Sequence, residues 1–267
     1  MVARNPDRIQ IEYELTFDTL FHCGTGIREG LIDRTVTRDS KGYLYVPGST
    51  FKGVLRERCE QLARLYEPEE QEHSVIVSPH DAEAALQEFG HGKPTMITRI
   101  FGSQMFPGRL FFDDARQDED SKSQYDSGDD KDKDDKNKYK GLQVDLYTQV
   151  RLARPTRTAV AGALYTSEFG TRELVFKGVI RGWLQCFPLD ASLFTQPDPA
   201  PTYSLLLLLA GLRLVDRLGG NKSAGKGKCR CKITSLTMNG QACSDALWSS
   251  WLEHIDFLAD YSKAQEG

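Results

Sequence analysis

The chain has 267 residues, of which 39% are hydrophobic and 27% are charged, and its net charge is −4. This length fits one large domain or two small ones, and the apolar content is ordinary for a globular protein. No apolar stretch is long enough to span a bilayer, and residues 1–10 lack the apolar core of a secretory signal. We therefore expect a cytoplasmic protein without a membrane partner.

The negative charge is concentrated in one segment. Residues 113–140 contain 11 of the 38 acidic and 7 of the 34 basic residues, so the rest of the chain holds 27 of each. Residues 117–140 are also poor in apolar side chains, and such a segment cannot bury enough surface to offset its loss of conformational entropy. We predict a disordered acidic insertion at about residues 116–140. Outside it, the near-neutral balance leaves room for local basic patches.

The first half of the chain predicts two strands and two helices. Alternating apolar residues over residues 9–24 indicate a half-buried strand, and residues 42–48 form a short strand that ends in a Pro-Gly turn. Ser49 is a suitable N-cap for an amphipathic helix over residues 50–66. Residues 82–90 form a second, shorter helix candidate.

The second half predicts four strands and one buried helix. The strands cover residues 108–115, 141–153, 172–187 and 228–238, and the helix covers residues 203–219. The order strand, helix, strands, then strand, helix, strand is typical of the ferredoxin-like (RRM-like) βαββαβ arrangement, which is an α+β fold. Six cysteines are scattered through the chain, and the single C-x-C of Cys229 and Cys231 lacks a second ligand pair for zinc, so we expect reduced thiols.

A glycine-rich loop precedes the last predicted strand. The G-x-x-x-x-G-K motif at residues 220–226 is close to a phosphate-binding P-loop, but Gly227 stands where a Mg²⁺-binding Ser or Thr is needed. The loop also follows a helix and precedes a strand, which is the reverse of a P-loop and argues against an NTPase. Lys222, Lys226 and Lys228 make it suitable for a polyanion backbone. The alternative is a flexible, solvated turn.

The predicted helix at residue 50 begins with a second group of cations. Helix N-termini offer unpaired N–H groups, Ser49 and Thr50 add hydroxyls, and Lys52 and Arg56 lie four residues apart on one face. Together they form a candidate phosphate cradle, and the alternative is a solvated basic helix face. By itself, an aspartate in a turn, such as Asp33, indicates no particular function.

Four stretches in order along the chain resemble a known family. They are "HCGTG" with "LIDRTVTRDSKGYLYVPGSTFKGVLRER" (residues 22–58), "ITRIFGSQMFPGRLFFDDA" (97–115), "RLARPTRTAVAGALYTSEFG" (151–170) and "LGGNKSAGKGKC" (218–229). They resemble the signature of the RAMP superfamily, in particular the backbone subunits of type III CRISPR effector complexes of the Csm and Cmr kind. The acidic insertion has no counterpart in the common family pattern.

The resemblance implies one RAMP-type domain over residues 1–267, with a ferredoxin-like core, a hairpin "thumb" at residues 151–168 and other insertions. Such subunits stack with other effector subunits in a filament along a guide crRNA, and the thumb enters the duplex of guide and target RNA. The residues that the resemblance implies in RNA binding are His22, Ser49, Lys52, Arg56, Arg154, Arg157, Lys222, Gly225, Lys226 and Gly227.

The resemblance also implies a reaction. In target-cleaving members an aspartate at the position of Asp33 is required for divalent-metal-dependent cleavage of target RNA, so Asp33 becomes the candidate catalytic residue and a ligand of a weakly held Mg²⁺. One carboxylate is a small metal site, so its other ligands would come from RNA, water or a neighbouring subunit. Two alternatives remain: a non-catalytic crRNA-binding scaffold, and a guide-processing endoribonuclease that uses His22.

Overall fold

The computed structural model describes residues 5–66, 82–92, 94–118, 122, 143–189 and 200–266. Its strands are β1 (Asp7–Phe17), β2 (Tyr45–Val46), β3 (Leu110–Phe112), β4 (Ala115–Arg116), β5 (Val144–Ala153), β6 (Thr158–Gly170), β7 (Val175–Leu184), β8 (Cys229–Met238) and β9 (Gln241–Cys243). Its helices are α1 (Gly48–Tyr66), α2 (Ala82–His91), α3 (Met96–Phe101), α4 (Tyr203–Arg213), α5 (Asp245–Leu252) and α6 (Tyr261–Glu266). The predicted acidic insertion falls almost wholly outside the described residues.

The main sheet confirms the predicted α+β, ferredoxin-like core. Its strand order is β2-β4-β7-β1-β8-β9, β3 also pairs with β7, and every pairing is antiparallel. The four principal strands therefore lie in the order β3, β7, β1, β8. Since the chain passes through α1 between β1 and β3, and through α4 between β7 and β8, this is the βαββαβ connectivity.

One face of the sheet holds the core. Along β1, the side chains of Ile9, Ile11, Tyr13 and Leu15 are buried while their neighbours are not, as the two-residue period of a strand requires. Helices α1 and α4 cover this face, and the Tyr13 ring stacks on that of Phe51 with centroids 4.2 Å apart. Ten consecutive residues of α4 are buried, so this helix is the centre of the core rather than a surface element.

Several predicted boundaries were wrong because the apolar pattern continues beyond the end of the strand or helix. β1 ends at Phe17, not residue 24, because the residues after it turn towards β6, where Phe21 pairs with Gly170. Similarly, α4 ends at Arg213, and residues 214–219 run into the glycine-rich loop. Helix α3 and the C-terminal helices were not predicted, because short segments give little periodicity to read.

The six cysteines are all free thiols. Burial raises the pKa of Cys23 and of Cys229 to about 12, so these side chains are neutral thiols near neutral pH. Among the helices that the structure describes, none combines the length and apolarity needed to cross a membrane.

Candidate functional site

A long β-hairpin forms a second sheet beside the main one. Strands β5 and β6 pair with each other in a two-stranded sheet, and residues 154–157 form the turn, with exposed Arg154 and Arg157 at the tip. We call β5 and β6 the thumb hairpin. The predicted thumb is confirmed as a hairpin, but it is longer than residues 151–168. Most of its side chains outside the base are exposed, which suits a projecting element that contacts a partner.

Asp33 lies at the base of the thumb hairpin and is fastened to it. Its backbone N–H donates to the carbonyl of Thr166 at 2.9 Å, and its Oδ2 accepts the Thr166 N–H, also at 2.9 Å. The Arg28 guanidinium pairs with Oδ1. These two donors, the Thr166 N–H first, hold the pKa of the Asp33 carboxyl below its usual range. The side chain remains 23% exposed, so the carboxylate is fixed in place but reachable.

Glu168, two residues further along β6, joins the Asp33 loop to the thumb hairpin. Its carboxylate accepts two hydrogen bonds from Arg38, at 2.9 and 3.0 Å, and one from the Val36 N–H at 3.0 Å. The Glu168 side chain is only 7% exposed, so this ion pair is largely buried. No role of its own was predicted for Glu168 from the sequence. Its presence in the same family-like stretch as the thumb was the one available signal.

His22 connects three segments at the same place. It is buried, and its Nδ1 lies 2.7 Å from the Glu168 carbonyl oxygen, to which an Nδ1–H donates. The His22 carbonyl accepts the Gly220 N–H at 2.8 Å, which ties the glycine-rich loop to the thumb base. A Cβ on Gly24 would lie 2.6 Å from His22 Nε2, so the chain packs tightly around the ring. This environment holds an imidazole in place and favours a positioning role.

The glycine-rich loop brings a cation to the thumb base. Lys226 Nζ lies 4.7 Å from the ring centroid of Tyr147 on β5 and 5.3 Å from that of Phe169 on β6. Gly225 and Gly227 both have positive φ, at 81° and 74°, as this tight loop requires. Lys222 faces the other way and pairs with Glu57 of α1 at 3.6 Å, which links the loop to that helix.

The start of α1 differs from the prediction. The helix begins at Gly48, so Ser49 is an exposed residue of the first turn and not its N-cap. The Gly48 N–H instead donates to the Asp114 carboxylate at 2.9 Å. A Cβ on Gly48 would lie 2.2 Å from the carbonyl oxygen of Phe112, so only glycine allows this approach. Asp114 therefore already satisfies one of the N–H groups of the predicted phosphate cradle.

Lys52 and Arg56 are neighbours on α1 but are held differently. Burial and the nearby Arg56 charge lower the pKa of Lys52, whose Nζ lies 5.5 Å from the Phe112 ring centroid. The Arg56 side chain is 12% exposed, and its guanidinium donates to Glu60 at 2.7 Å and to the Gly102 carbonyl at 3.1 Å. Arg56 thus holds α1 to the loop after α3, whereas Lys52 lies over an aromatic ring of β3.

The predicted metal site reduces to one carboxylate. Within the described ranges, no three His, Cys, Asp or Glu side chains are grouped so as to hold a metal. Mg²⁺ is commonly held by one or two carboxylates together with water and substrate phosphates. Asp33 fits that pattern only if RNA and water complete the shell and the Arg28 side chain, which is 79% exposed, moves away from Oδ1.

Comparisons with known proteins identify the family of the chain. The family model described as "RAMP superfamily" matches residues 14–230. No curated protein matches the chain. A chain of the cryo-EM structure of type III-B Cmr-beta bound to cognate target RNA is 15% identical with a TM-score of 0.50, covering 84% of this chain and 96% of that one. A chain of Cmr-beta in the apo state is 14% identical with a TM-score of 0.47, covering 84% and 97%.

Proposed function

The chain belongs to the RAMP superfamily, and we propose that it is a crRNA-binding backbone subunit of a type III CRISPR effector complex. In this proposal the subunit cuts complementary target RNA, and Asp33 is its catalytic residue. The observation that carries the proposal is the attachment of Asp33 to the base of the thumb hairpin through Thr166. A hairpin that parts a guide–target duplex would present the displaced nucleotide beside this carboxylate. The fold shared with a chain of an RNA-bound Cmr-beta complex supports the same assignment.

The guide backbone would be held by residues on two elements. The glycine-rich loop offers Lys222 and Lys226, while α1 offers Ser49 and Lys52. Gly225 and Gly227 would shape the loop rather than donate to the phosphates, because their N–H groups already donate to the carbonyls of Lys222 and Leu20. None of these contacts reads a base, which suits a subunit that must accept any guide sequence. Arg154 and Arg157 at the thumb tip are placed for phosphates of the guide–target duplex.

The chemistry assigned to Asp33 is electrostatic. In target cleavage the 2′-OH loses its proton, and the 2′-oxygen bonds to the adjacent phosphorus as the P–O5′ bond breaks, which leaves a 2′,3′-cyclic phosphate and a 5′-OH that takes up a proton. The step needs an in-line arrangement, which a nucleotide held out of the duplex can adopt. Because the pKa of Asp33 is lowered, its carboxylate is ionised at neutral pH. A Mg²⁺ held there would stabilise the charge that develops on the phosphate. The hydrogen bonds of Asp33 with Thr166 and Arg28 stabilise the folded protein at pH values above the ordinary pKa of an aspartate. This stabilisation is lost as the pH falls through the lowered pKa of Asp33.

We expect Asp33→Asn to reduce target cleavage at this subunit's position by about 100-fold or more, because it removes the charge at the reacting phosphate. The measurement is gel analysis of labelled target RNA incubated with the assembled complex and Mg²⁺. Asparagine is chosen because its Oδ1 can still accept the Thr166 N–H, so the thumb base is preserved. A loss of cleavage in this variant can therefore be assigned to the missing charge and not to a disrupted thumb base.

The matched control is Arg28→Ala, which frees Oδ1 without changing Asp33. It should keep cleavage, since Arg28 must leave the carboxylate for a metal to bind there. Unchanged products with Asp33→Asn would instead assign the chain to the non-catalytic scaffold. Cutting of precursor crRNA by the isolated protein, abolished by His22→Ala, would favour the guide-processing enzyme, although the buried His22 ring argues against it.

Neutralising Lys52 and Lys226 together, as Lys52→Gln and Lys226→Gln, should weaken crRNA binding and reduce its dependence on salt. Each lost phosphate contact lowers the slope of log K against log salt by about 0.7 for single-stranded RNA. Filter binding over a salt series measures the slope. Arg56→Gln is the contrasting variant, because its guanidinium has internal partners and its loss should lower thermal stability more than RNA affinity. An unchanged slope in the double variant would show that the guide does not follow these two elements.

A further inference from the structure

The second face of the main sheet presents aromatic and arginine side chains to solvent. Phe111 of β3 lies opposite Arg181 of β7, and Arg181 lies opposite Gln10 of β1. One row along, Trp183 of β7 lies opposite Arg8 of β1. Residues directly opposite one another, or two apart on a strand, share a face of a sheet. Phe111, Arg181, Trp183, Gln10 and Arg8 therefore form one continuous patch, which we call the open-face patch.

The open-face patch is exposed at its aromatic residues. Phe111 is 60% exposed and Trp183 is 49% exposed, whereas the adjoining Leu110 and Leu184 point into the core. Gly182 allows β3 to pack closely on β7 here, since a Cβ at that position would lie 2.1 Å from the Arg109 carbonyl oxygen. Two large aromatic rings on neighbouring strands are thus left facing solvent rather than packed inside.

A cavity of about 140 Å³ adjoins the patch. Trp183 forms part of its wall, together with Phe106, Arg99 and the exposed Arg109. Arg99 is engaged with the Tyr261 hydroxyl and lies over the Phe187 ring, so it is a fixed part of the wall. The cavity offers an aromatic surface and positive charge side by side.

Charge on the patch is mainly positive at the Trp183 end. Arg8, Arg109 and Arg181 lie around the two aromatic rings, and Arg181 is paired with Asp113 at 3.3 Å while its side chain remains 62% exposed. Glu12, which accepts a hydrogen bond from Gln10, is the next acidic side chain along β1. An anionic ligand is therefore favoured at the Trp183 end and disfavoured towards Glu12.

We infer that the open-face patch is a binding site for single-stranded RNA, separate from the thumb base. Aromatic rings provide stacking platforms for unpaired bases, and arginines neutralise the phosphates between them. Trp183 stacks one base at the mouth of the cavity, Phe111 stacks another, and Arg8, Arg109 and Arg181 contact the backbone. The site is independent of cleavage at Asp33, because none of its residues takes part in the contacts of the thumb base.

The tryptophans provide a specific readout. Trp248 and Trp251 are buried at 4% and 0% exposure, so Trp183 is the one tryptophan that a ligand can stack on. We expect an unstructured oligouridylate of about ten nucleotides to quench the emission of the full chain. Trp183→Phe should keep the binding, measured by anisotropy of labelled RNA, but lose the quenching. Trp183→Ala combined with Phe111→Ala should weaken the affinity by at least about 30-fold, because each lost stacking contact weakens it about 5- to 150-fold.

The matched control is Leu65→Ala, which removes an exposed apolar side chain from α1 on the covered side of the sheet and should change neither signal. Binding of RNA with unchanged tryptophan emission, or equal affinity in the double alanine variant, overturns the inference. The inference is also overturned if, in the absence of RNA, assembly with the other complex subunits protects the emission of Trp183 from quenching by acrylamide. The open-face patch would then be a protein interface. Target cleavage by the same variants should stay normal, which keeps this test distinct from that of Asp33.

Discussion

Glu168→Ala is expected to lower the free energy of unfolding by about 3–5 kcal/mol, one of the two largest effects that the structure predicts for a single substitution. The substitution removes the acidic partner of Arg38, whose side chain is 28% exposed, and the acceptor of the N–H of the buried Val36. An uncompensated charge and an unsatisfied N–H there cost far more than the pair itself contributes. Urea unfolding followed by circular dichroism measures the change.

The comparison with Glu168→Gln and Arg38→Ala identifies the cause. Glutamine keeps the shape and one acceptor oxygen, so it should cost clearly less than alanine. Arg38→Ala should cost a comparable amount, because it leaves the carboxylate of Glu168, which is only 7% exposed, without its cationic partner. The double alanine variant should be less destabilised than the sum of its parts. A loss below about 1 kcal/mol for Glu168→Ala would mean that water replaces the missing carboxylate.

The substitution of Glu168 should also affect function, because of where Glu168 lies. Glu168 fastens the segment containing Val36 and Arg38 to β6, and Asp33 lies three residues before that segment. Loss of Glu168 should therefore loosen the loop that presents the proposed catalytic carboxylate, and cleavage should fall even at temperatures where the variant is folded.

Gly227→Ala is expected to destabilise the protein by about 2–5 kcal/mol. Alanine at its φ of +74° costs about 1–2 kcal/mol, and its Cβ would lie 2.0 Å from the Leu218 carbonyl oxygen, which adds an overlap of about 1–3 kcal/mol. The overlap is with backbone, and Gly227 also bonds Leu218 and Leu20 through its own carbonyl and N–H, so the loop cannot simply shift.

Gly225→Ala is the matched control. Its φ of +81° is similar, but a Cβ there would meet nothing within 4 Å, so only the conformational cost of about 1–2 kcal/mol applies. Thermal unfolding of the two variants side by side separates overlap from backbone strain. Equal destabilisation by the two substitutions would show that the loop relaxes around residue 227, so that a Cβ there no longer overlaps the Leu218 carbonyl oxygen.

The fold was predictable from the sequence to a large extent. The two-residue period of β1 reflects burial on one face of the strand, and the uninterrupted apolar run of α4 reflects burial on all sides of the helix. Both patterns are local properties of the chain. The order of those elements then indicated the ferredoxin-like core. The ends of elements were less predictable, since β1 ends at Phe17 and the residues that follow turn away so that Phe21 pairs with Gly170, a residue that lies far along the chain.

The individual site residues were predictable by type, while their partners were not. Lys52 and Arg56 look equivalent in the sequence, yet Arg56 is bonded to Glu60 and to the carbonyl of Gly102, a residue of another segment. Ser49 is of a residue type that is common at N-cap positions, yet the first N–H of the helix donates its hydrogen bond to Asp114. In both cases a residue distant in sequence satisfies the group, and propensity carries no information about such a partner.

The α+β class, the glycine-rich loop and the family-like stretches that single out Asp33 can be recognised in the sequence, because side-chain period and local motif are properties of consecutive residues. That Asp33, Glu168, His22 and Lys226 meet at the base of one hairpin, and that Phe111 and Trp183 share an open sheet face, is visible only in the folded chain. Those arrangements depend on strand register and on packing between distant segments, and they are fixed only when the whole chain has folded.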